Sequence, residues 1–148
     1  MLDKIDNDIL SLLKDNSRMS FRQIAKKLRL HPTTVISRIS RLEKTGIITG
    51  YSVHLDLSKL GYEFMGMVQV KISKGKLVET QEKISTMKGV IAVYDVTGEY
   101  DSVVIVAAKT RDSFSSIIKS FLQLPYVEHT NTQVILKIVK PSHHFEAL

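Results

Sequence analysis

"HPTTVISRISRLEKTGIITGY", residues 31–51, opens with a histidine and a proline and carries four β-branched residues at 33–36. It sets one acid, Glu43, against His31, Arg38, Arg41 and Lys44. On a 3.6-residue helix, Val35, Ile39 and Leu42 share one side, with Ile36 at its edge. Thr33, Thr34, Ser37, Ser40, Arg41 and Lys44 share the other. Pro32 suits a first helical position, where a missing N–H leaves nothing unpaired, and Gly46 sits where a helix stops. β-Branched residues are indifferent helix formers, so packing of the apolar side must hold this segment. The opposite side is made of hydroxyls and cations, the groups that reach base edges and phosphates in a major groove.

Upstream, Asp3 can cap a helix in which Ile5, Ile9, Leu12 and Leu13 recur at helical spacing. "DNSRM" (15–19) breaks it. Ser20 and Gln23 then form a capping box for a second helix with Ile24, Ala25 and Leu28 as its apolar stripe. The short connection "RLH" leads into the third helix. Helix, tight connection and basic helix make a helix-turn-helix layout, whose second helix enters a groove of DNA. An ordinary three-helix bundle with a solvated face has the same spacing. Charge separates the two: the net is +6 over 148 residues, and residues 14–44 hold nine Lys/Arg against two Asp/Glu. A bias of that kind favours polyanions, which makes double-stranded DNA the expected partner.

The second half reads differently. "IITGYSVHLDLSKLGY" (47–62) alternates Tyr51, Val53, Leu55 and Leu57 and predicts an extended linker strand over 51–61. Beyond it the pattern predicts strands at 64–73, 90–97, 101–109 and 127–140 and helices at 76–88 and 111–123. That order is βαββαβ, the ferredoxin-like split arrangement. The expected fold is α+β, with a winged or helix-turn-helix three-helix domain at 1–50 and a ferredoxin-like domain at 62–148. Two strands are apolar on both faces. Val103, Ile105 and Ala107 alternate with Val104, Val106 and Ala108, and "VIAVYDV" (90–96) is similar. Both helices of this topology lie on one face, so the other needs a cover, which a second copy of the chain supplies most economically.

Several classes are disfavoured by composition. The chain has no cysteine, hence no disulfide, thiolate zinc site or cysteine nucleophile. Its longest apolar run, "VVIVAA" (103–108), is too short to span a bilayer, and "MLDKIDND" has acids where a signal peptide needs bases. A cytoplasmic protein with no membrane contact is expected. The histidines are His31, His54, His129, His143 and His144. "SHHFE" near the C-terminus imitates a ligand pair, but neighbouring residues rarely chelate one ion from a regular element, so no metal and no cofactor are expected. No phosphate loop, dinucleotide fingerprint or nucleophile elbow is present, and no enzymatic activity is expected.

Over nearly its full length the chain resembles the Lrp/AsnC, or feast/famine, family of transcriptional regulators. The matching residues are "LDKIDNDILSLLKDNSRMS", "IAKKL", "TTVISRISRLEKTGIITGY", "LDLSKLG" and "TGEYD". The resemblance implies a DNA-binding helix-turn-helix followed by a ferredoxin-like domain that dimerises, often assembles to tetramers or octamers, and often binds an amino acid or related small effector. The motif points the N-terminal end of the third helix, with Thr33, Thr34 and Ser37, at bases and leaves Arg38 and Arg41 to hold phosphates, with Lys44 also expected at the DNA. For the effector the resemblance points to the turn Gly98, Glu99, Tyr100 and Asp101, with the hydroxyls of Thr130 and Thr132 nearby. Gly98 would admit a ligand to the backbone, Asp101 would meet an α-ammonium group and Tyr100 would cover a side chain. The same four residues make a good hairpin turn in which Asp101 only bonds nearby backbone N–H groups, and a ligand-independent architectural oligomer is the alternative function. Two residues depart from the family pattern. Arg29 stands where Gly or Asn is usual in the turn, and His31 where Ser or Thr caps the recognition helix.

Overall fold

Three helices build the first unit, and each starts for a legible reason. α1 (Lys4–Asp15) begins with a reciprocal capping box. The Asp6 N–H donates to Asp3 Oδ1 at 2.9 Å and the Asp3 N–H donates to Asp6 Oδ2 at 3.0 Å. α2 (Phe21–Leu28) repeats the device with Ser20 and Gln23. It stops at Arg29, which has φ 55° and ψ 42° and is the one non-glycine residue in the left-handed region among those described. There the Leu30 N–H donates to the Ala25 carbonyl at 2.9 Å, closing the helix end. An arginine holds that conformation at a cost of about 1 kcal/mol. α3 (Pro32–Lys44) starts on Pro32. It ends on Gly46, φ 72°, where the Ile47 N–H donates to the Leu42 carbonyl at 2.9 Å; only a residue tolerant of positive φ closes a helix in this way.

The structure is a computed structural model that describes residues 1–139, so His143, His144 and the end of the expected second domain lie outside the described residues. The chain divides into two units, residues 1–54 and the part from Leu55 onward. In the first, Ile9, Leu13, Ile24, Ala25, Val35, Ile39 and Leu42 form the core, each large aliphatic contributing about 1.5–3 kcal/mol by burial. The strand expected over 51–61 is absent. Residues 51–56 belong to no ladder and 57–61 form a turn, in which the Ser58 N–H donates to Asp56 Oδ1 at 3.1 Å. Tyr51, Val53 and Leu55 alternate as a strand would, but all three are exposed and no described strand pairs with them. Alternation without a partner leaves the backbone groups to water.

The second unit is a four-stranded antiparallel sheet in the order β2-β3-β1-β4, made of β1 (Phe64–Ile72), β2 (Val90–Asp95), β3 (Ser102–Ala108) and β4 (Val127–Val134). Two helices, α4 (Leu77–Ser85) and α5 (Arg111–Leu122), complete βαββαβ. α5 begins with a third capping box, between Thr110 and Ser113. Val68, Val70, Ile72, Val104, Val106 and Ala108 face Ile84 of α4 and Phe114 and Phe121 of α5. Gly66 belongs to the same face, and a Cβ there would come within 2.6 Å of the Phe114 ring. The opposite face carries Met65, Met67, Gln69 and Lys71 of β1, paired with Ala107, Ile105 and Val103 of β3 and with Gln133, Asn131 and His129 of β4. Ala92 and Tyr94 of β2 continue it beyond Ile105 and Val103.

The last strand is shorter than its alternation suggests. It was expected to run to 140, yet β4 stops at Val134, opposite Gly66, with one further bond from the Ile135 N–H to the Met65 carbonyl. β4 is an edge strand whose neighbour β1 begins at Phe64, so the ladder runs out of partner before the sequence runs out of β-formers. Leu136, Ile138 and Val139 remain exposed, Leu136 at 96%.

Candidate nucleic-acid interface

α3 buries Val35, Ile39 and Leu42 against α1 and α2. Thr33, Ile36, Ser37 and Lys44 are exposed, and Thr34 and Ser40 are half-buried beside them. The outward surface of the helix thus offers hydroxyls, one aliphatic side chain and a lysine that has no ion-pair partner among the described residues. Its acid, Glu43, lies to one flank and accepts a bond from Tyr51 Oη at 3.0 Å. Burial and the Glu43 carboxylate together push the Tyr51 phenol above its ordinary range.

The two arginines expected at phosphates are both engaged by the start of α1. Arg38 Nη1 bonds Asp3 Oδ2 and, at 3.0 Å, Asp6 Oδ1; Arg41 Nη2 bonds Asp6 Oδ2. The Asp6 side chain is fully buried, whereas those of Arg38 and Arg41 are 24% and 51% exposed. Burial pushes the Asp6 carboxyl upward, but the Asp3 N–H and the two guanidinium groups outweigh it and hold the pKa at about 2. The Arg38 hydrogen bond lowers Asp3 in the same way. Asp6 is therefore a bracket between α1 and α3. The sequence held one trace of it. Asp6 precedes Ile9 by three residues and Leu13 by seven, so a carboxylate occupies a core position of the α1 stripe. Its partners lie 32 and 35 residues away, beyond any local pattern.

At the entrance to α3, His31 supplies no cap to the backbone. Its Nδ1 lies 2.8 Å from Thr33 Oγ1. The imidazole thus orients a threonine of the outward face rather than closing the helix, the role the family pattern gives to Ser or Thr.

The four-residue turn in the second unit lies between β2 and β3. Gly98 has φ 123°, with open space where a Cβ would stand; a chiral residue would be strained there. Glu99 is exposed. The Tyr100 ring lies edge-on to His129, 5.5 Å between centroids. Asp101 is already occupied: Oδ2 accepts the Ile72 N–H at 2.8 Å and lies 3.2 Å from Lys71 Nζ. The Ile72 N–H, aided by Lys71, holds its carboxyl below the usual range. Lys71 and its partner His129 belong to the open face of the sheet, whereas Thr130 and Thr132 pair with Val70 and Val68 and stand on the helix face. Tyr100 and Asp101, beside His129 and Lys71, thus lie toward one face and Thr130 and Thr132 toward the other. A surface groove of about 610 Å³ between the end of α1 and residues 47–54 is lined by none of them. Among the described residues no cluster of His, Asp and Glu is placed to hold a metal ion, and no helix is long and apolar enough to cross a membrane.

Two family models match the chain in tandem, a winged helix-turn-helix DNA-binding domain over residues 2–49 and an Lrp/AsnC ligand-binding domain over 65–145. An uncharacterised HTH-type transcriptional regulator of Pyrococcus furiosus is 43% identical over 145 residues, 98% of each chain. The solved structure of LrpC from B. subtilis superposes with a TM-score of 0.85 at 28% identity, covering 95% of this chain and 98% of that one. A transcriptional regulator of Neisseria meningitidis, solved as a complex with L-Met, superposes with a TM-score of 0.87 at 24% identity, covering 95% and 94%.

Proposed function

Because the chain belongs to the Lrp/AsnC family of DNA-binding transcriptional regulators, we propose that it recognises specific duplex sequences through the outward face of α3. On this reading it acts as a two-fold dimer and responds to an amino acid or similar small effector. The observation that carries the DNA-binding mode is the division of α3, with three aliphatic side chains buried and hydroxyls and a lysine turned outward. Thr33, Thr34 and Ser37 reach base edges. Lys44 and the outward edge of Arg41 reach phosphates. Arg38, held by both Asp3 and Asp6, fixes the angle at which α3 is presented.

Fluorescence anisotropy over a salt series tests these roles. Lys44→Ala should weaken binding to all duplexes alike and reduce the slope of log K against log salt by about one. Ser37→Ala should change sequence preference and leave that slope alone. An unchanged slope in Lys44→Ala together with altered preference would reverse the assignment.

The open sheet face supports the dimer. Val103, Ile105, Met65 and Met67 make a largely aliphatic surface that no described helix of the unit covers. The exposed run at Leu136, Ile138 and Val139 supports further pairing. A two-fold dimer reads a pseudo-palindrome whose half-sites lie about one helical turn, or a multiple of it, apart. Light scattering decides between a dimer and assembly to tetramers or octamers.

Effector control rests on the match to a ligand-binding domain and on the Neisseria regulator's complex with L-Met. An effector ammonium group at Asp101 must compete with Lys71 and the Ile72 N–H. The Gly98 backbone, Tyr100 and His129 are the more accessible contacts. That occupied carboxylate also favours the second reading, a DNA-binding architectural oligomer with no small ligand. A thermal-shift screen of the twenty amino acids separates them. An amino acid that stabilises the parent but not Asp101→Ala places the effector at the turn. No shift with any amino acid selects the architectural reading.

A further inference from the structure

We propose that Ile36 is a specificity-determining residue that reads the C5-methyl group of a thymine in the major groove. This rests on the reading of α3 as the DNA-contacting helix.

Ile36 is 45% exposed in the middle of a helix. Its neighbours on the helix surface are Thr33, one turn before, and Ser40, one turn after; residues at such spacing lie about 5–6 Å apart at Cβ. It lies outside the core formed by Val35, Ile39 and Leu42. A β-branched aliphatic there gains little from helix propensity and leaves nearly half of its surface exposed. Leu2, Phe21 and Ile47, also exposed, sit before or at a helix start or beyond a helix end. Ile36 is the one placed within the hydroxyl-bearing surface that faces outward from α3.

The chemistry of that surface matches one base edge better than the others. Thymine presents the O4 acceptor and the C5-methyl side by side in the major groove, whereas the remaining bases present only hydrogen-bonding groups. A hydroxyl one turn from an aliphatic side chain is complementary to that pair: Ser40 or Thr33 donates to O4 while Ile36 covers the methyl. A cytosine at the same position puts its N4 amino donor where thymine has the O4 acceptor, and it has no methyl for Ile36 to cover.

The test uses the full chain and the tightest duplex recovered by selection from a random pool. Each thymine of that duplex is replaced singly by deoxyuridine, which removes only the methyl group. Affinities of the parent and of Ile36→Ala are read by fluorescence anisotropy. At one position in each half-site the parent should lose about fourfold, the equivalent of one buried methyl-sized group. Ile36→Ala should bind the thymine and uracil duplexes equally at that position, with the oligomeric state and melting temperature of the parent. A parent insensitive to every replacement overturns the proposal, as does an Ile36→Ala protein that keeps the same thymine dependence. Selection without any sequence preference overturns it while leaving non-specific DNA binding intact. Failure of the parent to bind duplex at low salt overturns the DNA-contacting reading of α3 itself.

Discussion

Asp6→Asn removes the charge at the centre of the bracket between α1 and α3 while keeping the size of the side chain. In the parent, the Asp6 carboxyl is held at about 2 against an ordinary 3.8, which corresponds to about 2 kcal/mol of folding free energy. The folded pKa is depressed, so this contribution is present above the ordinary carboxylate range and is lost as pH falls from about 4 toward 2. Asparagine can still accept the Asp3 N–H, but it presents an amide to Arg38 and Arg41. Loss of one partner of a buried ion pair costs about 3–5 kcal/mol. Arg41 is half exposed and rehydrates, which reduces the loss to about 2–4 kcal/mol. A 54-residue unit has only about 3–8 kcal/mol in total, so much of its margin disappears. Hydrogen exchange read by mass spectrometry localises the effect. Protection of α1 and α3 should fall by at least about 30-fold, while β1 and β3 are unchanged. In urea titrations the gap between parent and variant should be widest at pH 6 and narrow at pH 2.5. A variant within about 0.5 kcal/mol of the parent at pH 6, or a gap that widens in acid, refutes the account of the bracket.

Other perturbations probe separate parts of the fold. Arg29→Gly relieves a left-handed arginine and should stabilise the first unit by about 0.5–1 kcal/mol in thermal melts; destabilisation would mean that the arginine side chain makes a compensating contact. Gly66→Ala drives a methyl into the Phe114 ring and should cost about 1–3 kcal/mol in the second unit by urea titration; a neutral result would show that the ring moves aside freely. Ile105→Lys places a charge at the centre of the open sheet face and should yield a folded monomer by light scattering. A dimer of unchanged stability would locate the interface elsewhere.

Much of this fold was legible because local signals agreed. The cap at Asp3, the box at Ser20, Pro32 at a helix start and Gly46 at a helix stop each mark a boundary through backbone groups that must be satisfied within a few residues. The βαββαβ order followed from alternating periods of two and 3.6, and the doubly apolar β3 showed a sheet with both faces to cover. What failed was non-local. Residues 51–55 and 135–139 have strand-like composition, but a strand also needs a neighbour, and no period in the sequence says which residues pair. The ion pairs of Arg38 and Arg41 were hidden for the same reason, because their acids lie on another helix. Thr130 and Thr132 read as companions of Tyr100 until the register with Val70 and Val68 put them on the other face. Arg29 stood out only through the resemblance, at a place where Gly or Asn is usual, and its left-handed φ of 55° shows why those residues are usual there.

The most direct test of the central claim is the binding of fluorescent duplex DNA by Ser37→Glu beside the parent. Ser37 is exposed and outside the core, so glutamate there leaves the fold alone and puts a negative charge against the phosphates and acceptor edges of the groove. With α3 in the major groove, the parent should bind with log K falling linearly in log salt between about 50 and 200 mM. Ser37→Glu should lose at least about 100-fold with an unchanged melting temperature. Equal binding by the two proteins, with both folded, would contradict the assignment of α3 as the surface that meets DNA.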